Sequence, residues 1–377
     1  MSLLNIRNIA KLTILCLLGA VSCYLAAEEM TETEPQRESA EMLAEPDVTQ
    51  RIYRTREEQR EAGLETEITP WLTVTGLLEG EIETERFIPR DRGPALKARD
   101  DSATIQLGLL VNLFGLAEGE AVVEYDSDPD KFISEEAFVT FEYEPWELSL
   151  GKQFTPLGLY FGRFVTGPML EFAETSARKT AFLTYGPSDD FDLTLAAYQG
   201  RSSELGGDDE WDWAIGFEAW PSEQFSFGLS YQSDLSDSDE RLLEDDHYIN
   251  RVPVASAFLL AITDSFEFSL EVVAALDDFQ ELEKELNRPV AWNAEVAYFF
   301  PDYDFDLIVR LDKSQELEEQ PELRYGAAII WYLDRRIILT MEYLHGQFEA
   351  ESFAMEREDE IDIQHVNTMS AKLTVEF

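Results

Sequence analysis

From Trp71 onward the chain alternates in polarity. Val74, Leu78 and Ile82 share one parity, and Thr73, Thr75, Glu79, Glu81 and Glu83 occupy the other. A strand needs this period of two when one face meets lipid and the other meets water. The pattern returns in Phe266, Phe268, Leu270 and Val272 against Glu267, Ser269 and Glu271, and in Phe305, Leu307, Val309 and Leu311 against Asp304, Asp306, Arg310 and Asp312. It is clearest at the end, where Met369, Ala371, Leu373, Val375 and Phe377 face one way and Ser370, Lys372, Thr374 and Glu376 the other.

Sixteen such strands begin near Trp71, Ser102, Leu116, Ile133, Trp146, Thr180, Phe191, Glu210, Phe225, Arg251, Phe266, Ala291, Tyr303, Leu323, Arg336 and Asn367. Their links alternate in length. Short ones fall at 114–115, 144–145, 187–190, 221–224, 263–265, 301–302 and 334–335, and long ones at 85–101, 127–132, 155–179, 201–209, 234–250, 277–289, 313–321 and 349–366. Tight turns on one rim and long loops on the other predict an all-β fold, a transmembrane antiparallel barrel over 71–377 with both chain ends periplasmic. A soluble sandwich or lipocalin-like barrel is the alternative, but roughly 300 residues exceed one ordinary sandwich and the strands approach the roughly ten-residue membrane length.

The segment before the strands is of another kind. Arg7 and Lys11 precede an apolar run from Leu12 to Ala27, and the first acids are Glu28 and Glu29, so 1–27 reads as a signal peptide. Both cysteines, Cys16 and Cys23, lie inside it, so the mature chain has no thiol. Ala20-Val21-Ser22-Cys23 is a weak lipobox that would instead anchor the N-terminus through Cys23. Residues 28–70 are polar and acidic, a periplasmic tether or short helix, with a coiled-coil arm as the alternative. No later stretch reaches the roughly 18 to 20 apolar residues of a membrane helix, so any span is made of strands.

Composition narrows the partners. With 77 Asp plus Glu against 29 Lys plus Arg, the formal charge of −48 would repel a phosphate backbone, which excludes nucleic acid. The 24 Phe, 14 Tyr and 7 Trp provide too much to bury for a disordered chain. A barrel of this girth encloses water, so passage of a solute is the expected activity and the lining sets selectivity. The long link at 155–179 occupies the position of a porin constriction loop. Gln153, Tyr160, Arg163, Glu171, Glu174 and Arg178 are its candidate residues, with Lys179 beside them and Arg310 and Lys372 as cations of the wall; Lys152 follows the lipid-facing parity of Trp146, Leu148 and Leu150. Cations there would attract an anionic or metal-chelated solute. The alternative is that they neutralise nearby acids, and acids such as Glu79, Glu81, Glu271 and Asp306 suit a cation-selective porin equally.

Gly151-Lys152-Gln153-Phe154-Thr155-Pro156-Leu157-Gly158, followed by Gly167-Pro168-Met169-Leu170-Glu171-Phe172-Ala173-Glu174-Thr175, resembles the signature of the siderophore-porin family typified by the legiobactin receptor. The strand 76–83 and the segment 134–140 are similar too, and the resemblance covers the first half of the barrel. Leu157, Gly167 and Ala173 depart from the family pattern. The resemblance implies a plugless outer-membrane channel for a ferric siderophore, and Gln153, Pro156, Gly158, Pro168, Glu171, Glu174 and Thr175 match its motif. The alternative is a general or ion-selective porin for small solutes. Segment 28–70 is too short for the plug of an energised, roughly 22-stranded receptor. Further expected partners are lipopolysaccharide, the barrel-insertion machinery through the terminal aromatic Phe377, and sister chains in a homotrimer.

Other chemistry is thinly supplied. Asp126, Asp128 and Asp130 begin like a calcium loop, and Asp234, Asp237, Asp239 and Glu240 cluster, but the later Gly and Glu such a loop requires are missing; diffuse cation binding and no specific metal site is the expectation. A barrel phospholipase or protease needs His beside Ser or Asp. His247 follows Asp245 and Asp246, and His365 is placed in a loop with Gln364 and Asn367; with His345 these read as solvated side chains, so no catalytic residue and no cofactor is expected. A structural barrel closed by its own loops is the remaining class.

Overall fold

The computed structural model describes residues 66–377 apart from 91–92, 128–129, 189, 205–210, 223, 240–241, 244–246, 283–286, 301–302, 318–319, 350–353 and 356–360. The expected signal peptide with Cys23, the tether as far as residue 65, and Asp128, Glu240, Asp245 and Asp246 lie outside the described residues.

The alternating segments form one closed wall. Its strands are β1 Leu72–Pro89, β2 Leu96–Asn112, β3 Glu118–Ser127, β4 Asp130–Tyr143, β5 Trp146–Phe154, β6 Ser176–Ser188, β7 Phe191–Gln199 and β8 Asp212–Ser222. They continue as β9 Phe225–Gln232, β10 Val254–Ile262, β11 Phe266–Ala275, β12 Val290–Phe299, β13 Phe305–Gln315, β14 Leu323–Asp334, β15 Ile337–Gln347 and β16 Ile361–Glu376. Each pairs antiparallel with the next, and β16 returns to β1, so sixteen strands close without an edge. Thr66–Thr69 folds back on the start of β1 as a short extra strand. No α-helix occurs among the described residues; Met169–Ala173 is a single 3-10 segment.

Alternation sorts the side chains as a membrane barrel requires. Ile105, Leu107, Leu150, Leu195, Leu270, Val309 and Ile329 are exposed on the outer face. Aromatic pairs mark both rims: Trp146 with Tyr185 at 4.6 Å and Phe266 with Tyr298 at 4.8 Å near the short turns, and Trp213 with Tyr231 at 5.0 Å near the long loops. Such girdles suit the two interfaces of a bilayer.

The long-loop rim differs from expectation at three places. The link at 85–101 shrinks to 90–95, because β1 and β2 stay paired out to Phe87 and Leu96. The link at 127–132 shrinks likewise, with Ser127 paired to Asp130. His365, expected in a loop, belongs to β16 opposite Gln347 and Ile88. All three are polar extensions past the apolar belt. There water can face both sides of a strand, so the ladder continues while the alternation that signals it disappears.

Closure is completed by the last residue. Phe377 accepts a hydrogen bond from the Gly76 amide at 2.7 Å and returns one to the Gly76 carbonyl at 2.9 Å. A Cβ at Gly76 would lie 2.2 Å from the Phe377 ring, so the ring packs where only glycine leaves room. Gly80, four residues along β1, has nothing within 4 Å of its Cβ position. Gly76→Leu is therefore expected to lower the stability of the refolded barrel by about 1–3 kcal/mol through overpacking at the seam, while Gly80→Ala stays close to wild type. Denaturant unfolding and the heat-modifiable gel shift of the folded barrel measure both.

Candidate pore constriction

The residues between β5 and β6, 155–175, fold into the lumen. The segment leaves the wall where β5 is irregular: register shifts between Gly151 and Gln153, and Gly151 has φ +153° with no room for a Cβ beside the Ala137 carbonyl. Gln153 is buried there, accepting from the Ser149 hydroxyl at 2.9 Å and donating to the Thr180 hydroxyl at 3.1 Å. Lys152 donates to the Ser134 carbonyl.

Once inside, the loop has backbone amides with no strand to pair with. Carboxylates on the far wall accept them. Glu271 of β11 takes the amides of Leu159 at 2.6 Å, Tyr160 at 3.3 Å and Phe161 at 3.4 Å. Glu295 of β12 takes that of Arg163 at 3.1 Å, and Glu342 of β15 those of Val165 at 2.5 Å and Thr166 at 3.1 Å. The loop carbonyls are met by cations: Arg310 of β13 donates to Thr166 O at 2.6 Å, and Arg324 of β14 to Gly167 O, also at 2.6 Å. Hydrogen bonds with one charged partner are the stronger kind, so the loop is clamped by alternating acceptors and donors.

Guanidinium–carboxylate pairs complete the clamp. Arg163 pairs with both oxygens of Glu267 at 3.1 and 3.2 Å and lies 3.5 Å from Asp306. Arg310 pairs with Glu295 at 2.5 Å, and Arg324 with Asp312 at 2.7 Å. Arg163 stacks over Phe299 at 5.0 Å, and Arg310 over Phe164 at 4.3 Å. Their side chains are at most 9% exposed.

Glycines let the loop lie this close. Gly158 has φ +74° and its Cβ position lies 2.6 Å from Glu271, and that of Gly162 lies 2.3 Å from the Arg310 guanidinium. Apolar packing does the rest. Leu157, Met169, Leu170 and Phe172 join Leu235, Val254, Val273, Phe279 and Ala291 in one cluster, and Phe164 joins Leu260, Ile262, Phe299, Ile308, Ile330 and Leu344 in another. The interior beside β9 to β15 is thus a packed core rather than water. Burial at about 25 cal/mol per Å² of apolar surface adds to what the charges hold.

The candidate residues are consequently divided. Tyr160, Arg163 and Arg310 each take part in the contact between the loop and the far wall, and the buried Tyr160 hydroxyl has no hydrogen-bond partner. Glu171 lies on the 3-10 segment with its carboxylate over Gly167, and Glu174 offers its carbonyl to the Asp239 amide. Arg178 is exposed at the loop root. Lys372 is on β16, 3.5 Å from Glu79. Of the two readings of Arg163 and Arg310, attraction of anions or neutralisation of nearby acids, the arrangement matches the second, because each is flanked by two buried carboxylates. Glu271 and Asp306 point inward as expected but lie beneath the loop, 4% and 0% exposed.

Sequence reasoning missed the clamp residues Glu267, Glu295, Asp312, Arg324 and Glu342 as a group. Their signal was the inward parity of five consecutive strands, each with an inward charge where a water-filled lumen would be served equally well by Ser or Thr. At the long-loop rim the Ser203 hydroxyl lies 3.0 Å from Nδ1 of His247.

No protein-family profile and no curated protein matches the chain. Solved structures share its fold. OprB of Pseudomonas putida, in a high-pH structure, superposes with a TM-score of 0.58 at 8% identity, over 85% of this chain and 96% of that one. An anion-selective porin from Comamonas acidovorans gives 0.57 at 9% identity over 81% and 99%. A triple mutant of Rhodopseudomonas blastica porin gives 0.52 at 11% over 81% and 100%. The chain is thus similar to porins in architecture, a sixteen-strand barrel of porin type.

Arg310→Ala would leave buried Glu295 without its guanidinium and the Thr166 carbonyl without its donor, while Asp312 and the Gly167 carbonyl keep Arg324. Breaking a buried pair in this way costs about 3–5 kcal/mol. Expected are cleavage of the loop by added protease and a higher, noisier single-channel conductance; a variant that folds with wild-type conductance would show that the apolar clusters alone hold the loop.

Proposed function

We propose that the protein is an outer-membrane diffusion channel preferring cations and neutral solutes. The supporting observation is how charge is divided inside the barrel. Arg163, Arg310 and Arg324 at the constriction are buried and paired, whereas Glu79, Glu81, Glu83 and Glu85 stand two residues apart on the inward face of β1, half-buried and within reach of water. Glu124 of β3, hydrogen-bonded by Gln106 at 3.3 Å, extends this acidic wall, and Lys372 is the cation set against it, 3.5 Å from Glu79. The loop tip meets the wall at Glu83, which accepts from the Thr166 hydroxyl at 3.3 Å. A passing ion therefore moves between a filled half and a carboxylate ladder, and a ring of one sign in a narrow aqueous path selects the opposite sign.

Uptake of a ferric siderophore is the second reading, favoured by the likeness of 151–158 and 167–175 to the siderophore-porin signature. The ladder restricts it to cationic or neutral ferric complexes, since an anionic one would have to pass four carboxylates with Lys372 as the counter-charge. On either reading the short-turn rim faces the periplasm and the insertion machinery recognises Phe377.

Reversal potentials in planar bilayers under a potassium chloride gradient test the proposal. Expected is a cation preference of several-fold that falls toward unity in Glu79→Gln/Glu81→Gln and shrinks as salt rises and screens the ladder. Anion preference in wild type would overturn it. Adding a cationic ferric hydroxamate and an anionic ferric carboxylate separates the second reading: block by the first alone supports uptake, and indifference to both leaves a general channel.

A further inference from the structure

Outside the pore, the long-loop rim brings three acids together from separate stretches of chain. Asp212 opens β8, and Asp234 and Asp237 lie in the loop between β9 and β10. One carboxylate oxygen of each lies within 4.8 Å of one from each of the others. All three are buried, at 5%, 0% and 2% exposure. Carboxylates are among the groups least often buried, and packing three together needs compensation.

The protein supplies only part of it. Asp212 Oδ1 is 2.8 Å from the Arg251 guanidinium and accepts from the Ser233 hydroxyl at 2.9 Å. Asp237 Oδ1 accepts from the Ser202 amide at 3.0 Å and hydroxyl at 2.6 Å. Asp234 Oδ1 accepts from the Ser236 amide at 3.1 Å, but its Oδ2 is buried with no partner at all. Asp239, next along the loop, has its own cation, Arg201, at 3.3 Å. Among the described residues, one guanidinium against three carboxylates leaves two negative charges unbalanced, the charge of one divalent cation. Burial in this state drives the Asp234 carboxyl up to about 7 and Asp237 up to about 6.

We propose that Asp212, Asp234 and Asp237 form a calcium site joining the loop after β9 to the start of β8, with the unpartnered Asp234 Oδ2 as a ligand. The donors are all hard oxygens, which selects calcium or magnesium over transition metals. Oxygens up to 4.8 Å apart can share a calcium ion, with its Ca–O distances of about 2.3–2.6 Å and flexible geometry; the tight octahedron of magnesium fits them less well. Glycine makes the approach possible on the third side: a Cβ at Gly200, just beyond β7, would lie 1.9 Å from Asp237 Cγ. The site also abuts the root of the constriction loop. Asp239 donates its amide to the Glu174 carbonyl at 2.7 Å, and its carboxylate accepts the Ser176 amide at 3.2 Å. Filling the site would stiffen the base on which the constriction stands.

The test uses the full-length barrel refolded in detergent, stripped with chelator and titrated with calcium chloride in about 0.15 M sodium chloride, where diffuse binding to surface acids is screened. Expected is one tight site per chain, a raised melting temperature reversed by chelator, and affinity weakened about tenfold or more in Asp234→Asn and Asp237→Asn. Asp190→Asn, on the opposite rim, should bind as wild type. Should the site variants fail to fold, terbium luminescence sensitised through Trp213 on wild type, displaced by calcium in preference to magnesium, reports the same site. Binding that vanishes in salt, binding unchanged in both variants, terbium that gives no sensitised emission, or displacement equally by magnesium would each overturn the calcium assignment.

Discussion

A backbone amide finds no acceptor in hydrocarbon, and this constraint organises the molecule from the seam to the pore. In the wall it is met by closure, with β16 paired to β1 and Phe377 bonded to Gly76 in both directions, so that no strand edge is left unpaired. The same constraint reappears inside. A loop drawn into the lumen brings amides that no strand will pair, and Glu271, Glu295 and Glu342 accept them in place of a ladder.

Using carboxylates as acceptors has an electrostatic consequence. Acids buried under a loop need cations, and Arg163, Arg310 and Arg324 are drawn into the clamp to supply them. With two apolar clusters added, one half of the lumen becomes a packed core. The other half carries the half-buried acids of β1, of which Glu79 faces Lys372. On the proposed function, structural need on one side would decide selectivity on the other: the cations that could have drawn an anion are the ones that hold the constriction.

The wall was legible because alternation is a local signal repeated many times. Thirteen of the sixteen strands start within three residues of where the pattern begins, and the largest departures, at β2 and β16, are polar extensions beyond the apolar belt where alternation carries no information. The candidate site was legible only in location. The motif from Gly151 to Thr175 marks the loop, but whether Arg163 faces water or a carboxylate depends on Glu267 and Asp306, more than a hundred residues away. The run with Asp234 and Asp237 was visible but its partner Asp212 was not, for a related reason: a calcium loop is recognised by spacing within one segment, whereas these acids come from a strand and a loop that meet only at the rim.

What the sequence determined by itself is the barrel: the number of strands, the places of the tight turns, and which face of each strand is the apolar one. Period-two polarity is imposed by a flat boundary between apolar and aqueous surroundings, and that boundary acts on each strand separately. The tertiary structure alone decided the interior, namely which half is filled, which charges are cancelled and which remain. Those outcomes depend on pairs of residues far apart in sequence, and their sign is set by distances of a few ångströms that exist only once the barrel has closed around its loop.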